Sequence, residues 1–199
     1  MADLPPIESI TGVVLAGGRS TRMGTDKAFL RFGERSLVER CVVALHQCFE
    51  KNVLIANRPE AFLHLSLPVL QDDVPGLGPL GGILTALRHV ETPAIFVVAC
   101  DMPFLNAVLI REMAAALGDF DAVAAKAGGR FEPLHAVYSK RVLPLIEARI
   151  RDGELSVYRL LEAIRVRVFT ESELRRHKNW EKTLLNVNTP EELERARKL

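Results

Sequence analysis

Paired glycines and basic residues stand close together in one short stretch of the sequence, 13–27, which reads VVLAGGRSTRMGTDK. Gly17 and Gly18 let the backbone turn tightly, and exposed N–H groups in such a turn form a concavity that binds anions. Arg22 and Lys27 follow closely enough to neutralise a polyphosphate through charge-assisted hydrogen bonds. The stretch therefore predicts a nucleotide triphosphate site; the alternative is a surface loop with solvated basic residues.

Two common nucleotide-binding motifs are excluded by their spacing. No Gly-Lys-Ser/Thr follows the paired glycines as a Walker A loop requires. A literal G-x-G-x-x-G occurs at 76–81, but Pro79 lies inside it. We interpret 76–81 as a loop shaped for close approach of a ligand, with a helix entered at Pro79.

Three further polar residues follow predicted strands. Asp101 comes directly after a buried apolar run, at the crevice where open α/β sheets bind ligands. One carboxylate with phosphate oxygens and water is enough to hold Mg²⁺, so Asp101 is a candidate metal ligand or, alternatively, a cap of the next turn. Asn57 and Asp72 can line the same crevice and contact the edge of a base, although each is also a common turn residue.

The elements that position these residues follow from the pattern of apolar residues. Continuous apolar runs, typical of buried parallel strands, occur at 10–16, 53–56, 68–70 and 94–99. Helical spacing lies between them at about 37–49, after a capping box at Ser36, and at 80–89 and 107–117. This alternation predicts an α/β fold with a mostly parallel central sheet.

The second half of the chain is less regular. Strands are predicted at 122–125, 134–138, 166–169 and 184–187, and helices at 140–150 and 157–164. A last helix is predicted to start at Thr189, with Pro190 in its first position and a glutamate in its third. We find no internal repeat and no linker long enough to separate domains, so a single domain is expected.

Composition narrows the class of protein. The chain has 199 residues, of which 48% are hydrophobic and 26% charged, and its net charge of +1 argues against a general nucleic-acid binder. Its three cysteines form no CxxC pair, the N-terminus lacks the features of a signal peptide, and no apolar run approaches a membrane span. We therefore expect a cytoplasmic protein without a membrane partner.

The segment LAGGRSTRMGTDK resembles the N-terminal signature of nucleotidyltransferases with a Rossmann-like α/β fold. Its direct Gly-Gly, its Arg-Met-Gly and its Asp-Lys ending are similar to the molybdenum cofactor guanylyltransferase (MobA-like) branch. Sugar-phosphate relatives usually have a third glycine followed by Thr, and Pro-Lys at the end. The resemblance implies one three-layer Rossmann-like nucleotidyltransferase domain over 1–199, with a nucleotide-binding half at about 1–105 and an acceptor-binding half at about 106–199.

The same resemblance implies an activity. Such a protein transfers GMP from GTP to molybdopterin that carries molybdenum, forms the guanine dinucleotide cofactor and releases pyrophosphate. Arg22, Lys27 and Asp101 would be the catalytic residues, and Asp101 would hold Mg²⁺. Transient contact with other cofactor-biosynthesis proteins or with apoenzymes would fit this role, whereas nucleic acid would not be a partner.

Further site residues are implied by position. The GTP contacts fall on Leu15, Ala16, Gly17, Gly18, Lys27, Asn57, Asp72 and Asp101, the first three through their main chain to the base. The motifs EPLHAVY at 132–138 and NVNTP at 186–190 resemble acceptor-side motifs, which makes His135, Asn186 and Asn188 candidate acceptor residues. Asn188 is also a candidate second metal contact, and His135 is alternatively a core residue.

Three alternatives stay open at this level. Another nucleotidyltransferase, such as one that adds CMP to the same pterin, would use similar main-chain contacts to the base. A nucleotide-sensing binding module without catalysis would keep the same cavity. Finally, a basic cluster at 165–178 either attracts a pterin phosphate or a partner protein, or is a solvated face; it comprises Arg165, Arg167, Arg175, Arg176, His177 and Lys178.

Overall fold

The computed structural model describes residues 5–17 and 27–199. Its strands are β1 (Ile10–Leu15), β2 (Arg31–Phe32), β3 (Arg35–Ser36), β4 (Asn52–Ala56), β5 (Val69–Gln71), β6 (Ala94–Ala99), β7 (Ala122–Ala127), β8 (Arg130–Ser139) and β9 (Val166–Phe169). Its α-helices are α1 (Leu37–His46), α2 (Gly78–His89), α3 (Ala107–Ala115), α4 (Leu143–Arg151), α5 (Val157–Glu162), α6 (Glu171–Leu174), α7 (Trp180–Thr183) and α8 (Pro190–Arg197). Within these residues, no helix has the length and apolar character needed to cross a membrane.

Seven of these strands form one sheet in the order β5-β4-β1-β6-β8-β7-β9. The first four are mutually parallel, and β7 is parallel to β9, whereas β8 pairs antiparallel with both β6 and β7. The prediction of a mostly parallel α/β sheet is therefore confirmed. Because β8 runs against its neighbours, it begins at the edge of the sheet where β1, β4, β5 and β6 end.

Apolar residues cover both faces of the sheet, which is why its central strands are continuous apolar runs. On β1, Val14 belongs to the core under α1 and α3, while Val13 and Leu15 belong to the core under α2, α4 and α5. The two cores sandwich the sheet between two layers of helices. This arrangement confirms the three-layer architecture.

Helix starts follow the predicted capping chemistry. The Ser36 side chain accepts a hydrogen bond from Glu39 N–H, and the Glu39 carboxylate accepts one from Ser36 N–H, which completes the capping box of α1. At the start of α8, the Thr189 side chain accepts a hydrogen bond from the N–H of Glu192. Each cap fixes the residue at which its helix begins and the direction in which the helix leaves the preceding loop.

The prediction of a strand at 184–187 is wrong. The segment between α7 and α8 has no strand partner in the described chain, and one hydrogen bond joins it to the sheet, from Val187 N–H to the carbonyl of Asp101 at 2.9 Å. Val187 is fully buried in a small core with Phe32, Leu37 and Leu193. Side-chain burial rather than a ladder of backbone bonds therefore explains its apolar character.

A close approach of β1 to the end of α1 gives the first prediction. A Cβ at Gly12 would lie 2.2 Å from Asn52 Oδ1 and 2.9 Å from Phe49 Cδ2, so Gly12→Ala overpacks the core. We expect a loss of about 1–3 kcal/mol in the free energy of unfolding, measured by chemical denaturation. Gly17→Ala is the matched control, since its methyl would meet Asn57 Nδ2 at 3.5 Å, an ordinary contact. Equal stability of the two variants would contradict this packing.

Candidate functional site

The parallel strands bring three predicted nucleotide contacts together. Gly17, Asn57 and Asp72 follow the carboxyl ends of β1, β4 and β5, which pair in register. A Cβ at Gly17 would lie 3.5 Å from Asn57 Nδ2 and 3.6 Å from Asp72 Oδ2, so the three residues are direct neighbours. Residues from three separate segments of the sequence thus face one another at one edge of the sheet.

These residues line a cavity of about 770 Å³. Leu15 and Ile55 form its apolar floor, and the loop that enters α2 forms its wall with Pro75, Gly76, Gly78, Pro79 and Gly82. Its volume is within the range of small-molecule sites, about 300–1,000 Å³. An apolar floor with a few polar groups suits a flat heterocyclic base. The helix begins at Gly78, one residue before the predicted entry at Pro79, and Gly76, Gly78 and Pro79 line the cavity.

Main-chain contacts to a ligand at 15–17 are limited by bonds already formed. The carbonyl of Leu15 accepts from Cys100 N–H at 3.1 Å, and Ala16 N–H donates to the carbonyl of Ile55 at 2.9 Å. A ligand would therefore use the Gly17 N–H, the Ala16 carbonyl or the second lone pair of the Leu15 carbonyl. These are the main-chain groups at 15–17 that a base could reach.

Asp72 supplies a carboxylate to the cavity. Its Oδ1 is buried and has no hydrogen-bond partner within the described chain, and it would lie 3.6 Å from a Cβ at Gly82. Burial, and then the charge of Asp73, raises the pKa of Asp72 above its ordinary value. A partly buried carboxylate without donors is a strong acceptor for N–H groups of a ligand.

The neighbouring Asp73 fixes the loop that carries Asp72. Its N–H donates to Thr85 Oγ1 at 3.0 Å, and its carboxylate binds His89 at 2.8 Å and Arg88 at 3.3 Å. The hydrogen bond from His89, with that from Arg88, lowers the pKa of Asp73. The two adjacent aspartates therefore have different environments: Asp73 is hydrogen-bonded to α2, whereas Asp72 faces the cavity. Sequence reasoning did not identify Asp73.

Asp101 lies beside this cavity at the end of β6, which is paired with β1. Its Oδ1 is buried without a hydrogen-bond partner among the described residues. Burial raises the pKa of the Asp101 carboxyl, and the positive charge of Lys27 opposes that rise. Lys27 in turn donates from Nζ to Asn188 Oδ1 at 3.0 Å. Two of the predicted catalytic residues are thus close enough to interact electrostatically.

A carboxylate oxygen that is buried and unpaired fits a divalent cation at Asp101. Among the described residues, no group of three or more His, Cys, Asp or Glu could hold an ion. A cation here would therefore take most of its ligands from phosphate oxygens and water, which is the coordination that Mg²⁺ prefers. Gly18 and the predicted catalytic residue Arg22 lie outside the described residues.

Two of the three predicted acceptor residues lie at this end of the sheet. Asn188 contacts Lys27, and its N–H donates to Glu192 Oε2 at 2.5 Å. The pKa of Glu132, a carboxylate that sequence reasoning placed in a motif but did not single out, is raised by burial, and the nearby side chain of Asn186 opposes that rise. The loop before α8 thus reaches both sides of Asp101.

His135 is in a different environment. Its side chain is 0% exposed and its ring meets Phe96 edge-on, with 5.2 Å between the ring centroids. Neither ring nitrogen has a hydrogen-bond partner within the described chain, and burial lowers its pKa to about 4. The ring is therefore neutral at pH 7 and belongs to the core, which favours the second of the two interpretations that the sequence left open.

Two arginines of the basic cluster at 165–178 are neutralised by acidic neighbours. Ion pairs join Arg167 to Glu173 and Arg175 to Glu171. The Arg165 guanidinium lies over the ring of Phe120, 5.9 Å from its centroid. Paired charges exert a weak field on a distant anion, so these contacts favour the interpretation as a solvated face.

The fold and this edge together define a nucleotide-binding α/β protein with a carboxylate suited to a phosphate-bound cation. The sequence model of the MobA-like NTP transferase domain matches residues 12–168, and the chain belongs to this family. It is 34% identical over 193 residues to a probable molybdenum cofactor guanylyltransferase of Carboxydothermus hydrogenoformans, covering 97% of this chain and 98% of the relative. A protein of the same description from Pelotomaculum thermopropionicum is 38% identical, with 94% and 91% covered.

A solved structure agrees with the fold. The molybdopterin-guanine dinucleotide biosynthesis protein A of Archaeoglobus fulgidus superposes with a TM-score of 0.80 at 26% identity, covering 95% of this chain and 97% of that one. A likeness over nearly the full length of both chains places all seven strands of the large sheet inside the shared architecture.

The raised pKa of Asp101 predicts a pH-dependent cost in stability. Because the folded state holds the proton more tightly than the unfolded state, the free energy of unfolding falls as pH rises from 3.8 through the raised pKa. Asp101→Asn cannot ionise, so at pH 7 we expect a melting temperature about 2–4 °C above the unmodified protein, the shift that ~1 kcal/mol produces at this size. The difference should vanish below pH 3.8.

Asp73→Asn is the control for this measurement. Since its neighbours lower the pKa of Asp73, this variant should be less stable than the unmodified protein at neutral pH and equal to it in strong acid. Melting curves from pH 3 to pH 8 measure both differences. A lower melting temperature for Asp101→Asn at pH 7 would contradict the assigned environment.

Proposed function

We propose that this chain transfers GMP from GTP to molybdopterin that carries molybdenum, forming the guanine dinucleotide and releasing pyrophosphate. The observation that carries the proposal is the placement of a base-sized cavity, Asp101 and Lys27 along one edge of the sheet. Family membership and the names of the full-length relatives support the choice of GTP and of the pterin acceptor.

In this proposal the cavity binds the guanine. Guanine presents two neighbouring donors, N1–H and N2–H₂, beside the O6 acceptor, and a carboxylate can accept from both donors. Asp72 Oδ2, which lies on the Gly17 side of the carboxylate, can accept from these donors, while Asn57 Nδ2 can donate to an acceptor on the nucleotide. Cytosine does not present two neighbouring N–H donors of this kind, so a carboxylate in the cavity favours guanine over cytosine.

The triphosphate then extends from β1 toward β6, across neighbouring strands about 4.8 Å apart. Lys27 exchanges its bond to Asn188 for the phosphates, and Arg22, by its place in the glycine loop, adds a second positive charge. Asp101 would hold a divalent cation, proposed to be Mg²⁺, which when bound neutralises charge on the phosphate oxygens.

The reaction needs no nucleophile from the protein. A terminal phosphate oxygen of the acceptor is already anionic and attacks the α-phosphorus of GTP, and the bond to the pyrophosphate oxygen breaks. The chain contributes by aligning the two anionic substrates and by neutralising the charge between them. Lys27 stabilises the charge that grows on the leaving pyrophosphate, and Asn188, released from Lys27, can contact the acceptor phosphate.

Removing the charged side chain of Lys27 or of Asp101 should stop turnover and leave the fold intact. We expect Lys27→Ala and Asp101→Ala each to lower the rate of pyrophosphate release by at least about 10²-fold, since each removes charge stabilisation at the reacting phosphates. Lys51→Ala is the control, because Lys51 forms an exposed ion pair with Glu91 near the opposite ends of the strands. Near-normal turnover by Lys27→Ala or Asp101→Ala would contradict the proposal.

The base preference should depend on Asp72. Asp72→Asn replaces an acceptor-only group by an amide, and we expect GTP to bind about tenfold more weakly, the loss of ~1.4 kcal/mol. Thermal-shift titrations with GTP and with CTP, each with Mg²⁺, measure the difference. The unmodified protein should be stabilised more by GTP. A stronger response to CTP would instead support a cytidylyltransferase, and binding of GTP without pyrophosphate release in the presence of the acceptor would support a sensing module.

A further inference from the structure

Three side chains on one face of α2 bind a single aspartate of the loop that forms the cavity wall. Thr85, Arg88 and His89 follow the spacing i, i+3, i+4, which makes them neighbours on the helix surface. Thr85 Oγ1 accepts from Asp73 N–H at 3.0 Å, and the Asp73 carboxylate accepts from Arg88 at 3.3 Å and from His89 at 2.8 Å. Asp73 is thus bonded to α2 through both its main chain and its side chain.

Arg88 extends this anchor to a second helix. Its Nη2 and Nε donate to Glu147 Oε1 on α4 at 2.7 Å and 3.2 Å, while its Nη1 donates to Asp73. The third contact of the anchor, Thr85, is 0% exposed, so its hydroxyl is held inside the protein. The anchor is therefore more than one exposed ion pair, because it connects Asp73 to fixed positions on two helices.

The loop between this anchor and α2 has few other constraints. Gly76 and Gly78 have φ values of 91° and 62°, a left-handed backbone conformation that turns the chain back toward the start of the helix. Among the described residues, no side-chain hydrogen bond other than those of Asp73 reaches 72–77. The position of the cavity wall and of Asp72 therefore depends on the bonds of Asp73.

Asp72 is the residue whose direction this anchor controls. Its Oδ2 lies 3.6 Å from a Cβ at Gly17, and its Oδ1 lies 3.6 Å from a Cβ at Gly82, so the carboxylate stands between the end of β1 and the first turns of α2. No side chain of the described chain donates to it. A carboxylate without donors takes its direction from the backbone that carries it, and the next residue along that backbone is Asp73.

We propose that Asp73 is a positioning residue for base selectivity: its bonds to α2 hold the Asp72 carboxylate where it accepts from both N1–H and N2–H₂ of guanine. This inference rests on the proposed function and deepens it, because it assigns part of the selectivity to an anchor that contacts no substrate. Two parallel hydrogen bonds require one orientation of the carboxylate, whereas a single bond persists when the carboxylate turns. Loss of the anchor therefore costs most for a base that presents both donors.

The test compares GTP with ITP, whose purine lacks the N2 amino group. For the unmodified protein, kcat/KM for GTP should exceed that for ITP about tenfold, the effect of one hydrogen bond to a charged group. Asp73→Ala and Thr85→Val should each raise the KM for GTP about tenfold and the KM for ITP by less than about twofold, so that the preference disappears. The kcat and the KM for the metal-loaded pterin should stay within about twofold of the unmodified values.

Thr85→Ser separates the hydrogen bond from the packing. Serine keeps the hydroxyl that accepts from Asp73 N–H and loses a buried methyl group, whereas valine keeps the shape and loses the hydroxyl. Thr85→Ser should therefore retain the preference for GTP, although it leaves a small gap in the core. Glu91→Ala is the control for loss of an acidic side chain, because Glu91 pairs with the exposed Lys51 at 2.7 Å; it should leave the KM for GTP and for ITP unchanged.

A double-mutant cycle tests whether Asp73 acts through Asp72. In the Asp72→Asn background, Asp73→Ala should have no further effect on the KM for GTP, because the contact that Asp73 positions has already been removed. Melting temperatures of all variants show that each is folded under the conditions of the assay.

Three results would overturn the proposal: an unchanged KM for GTP in Asp73→Ala, a KM for ITP that rises in parallel with that for GTP, or effects of Asp72→Asn and Asp73→Ala that multiply in the double variant. An equal loss of preference in Thr85→Ser and Thr85→Val would also overturn it, since packing and not the hydrogen bond would then be responsible. Failure of the proposed function is distinct: the unmodified protein would release no pyrophosphate, while thermal shifts with GTP and with ITP would still measure the selectivity of each variant.

Discussion

Partial burial of carboxylates at one edge of the sheet is the constraint on which the site depends. Burial raises the pKa of Asp72, Asp101 and Glu132, and each therefore reduces stability in its charged form. Buried carboxylates of this kind are retained where a ligand supplies the hydrogen-bond donors or the positive charge that the protein lacks. Under the proposed function, a base with N–H donors at Asp72 and a cation with phosphates at Asp101 would offset two of these costs, so substrate binding would stabilise this edge.

The topology of the sheet concentrates these groups. Four parallel strands end at this edge, which delivers Gly17, Asn57, Asp72 and Asp101 from four separate segments. The antiparallel strand β8 begins at the same edge and adds Glu132. The loop before α8 then returns to Asp101 through Val187 and contacts Lys27 through Asn188.

Much of this architecture could be predicted from local sequence. Continuous apolar runs located β1, β4, β5 and β6, and the polar residue after each run indicated the edge of the sheet at which the cavity lies. Capping residues such as Ser36 and Thr189 located helix starts, because a cap acts within one helical turn. In each of these cases the residues that determine a strand or a helix start lie within a few positions of it in the sequence.

Other features depend on contacts between distant segments. Lys27 and Asn188 meet although 161 positions separate them, and no local pattern indicates that pair. The apolar pattern at 184–187 predicts a strand, because the periodicity and composition of apolar residues do not distinguish a paired strand from a buried loop. The sequence left open whether the basic cluster is an anion site or a solvated face, because the pairing of Arg167 with Glu173 and of Arg175 with Glu171 depends on the fold. Glu132 lies near Asp101 because β8 pairs antiparallel with β6, and no local pattern indicates this proximity.

The most direct test of the central claim follows the phosphorus atoms of GTP. The protein is incubated with Mg²⁺, metal-loaded molybdopterin and GTP labelled at either the α- or the γ-phosphate. The account predicts that the α-label appears in the pterin dinucleotide and the γ-label in pyrophosphate. Transfer of the γ-label to the acceptor, or release of inorganic phosphate without an α-labelled product, would contradict it.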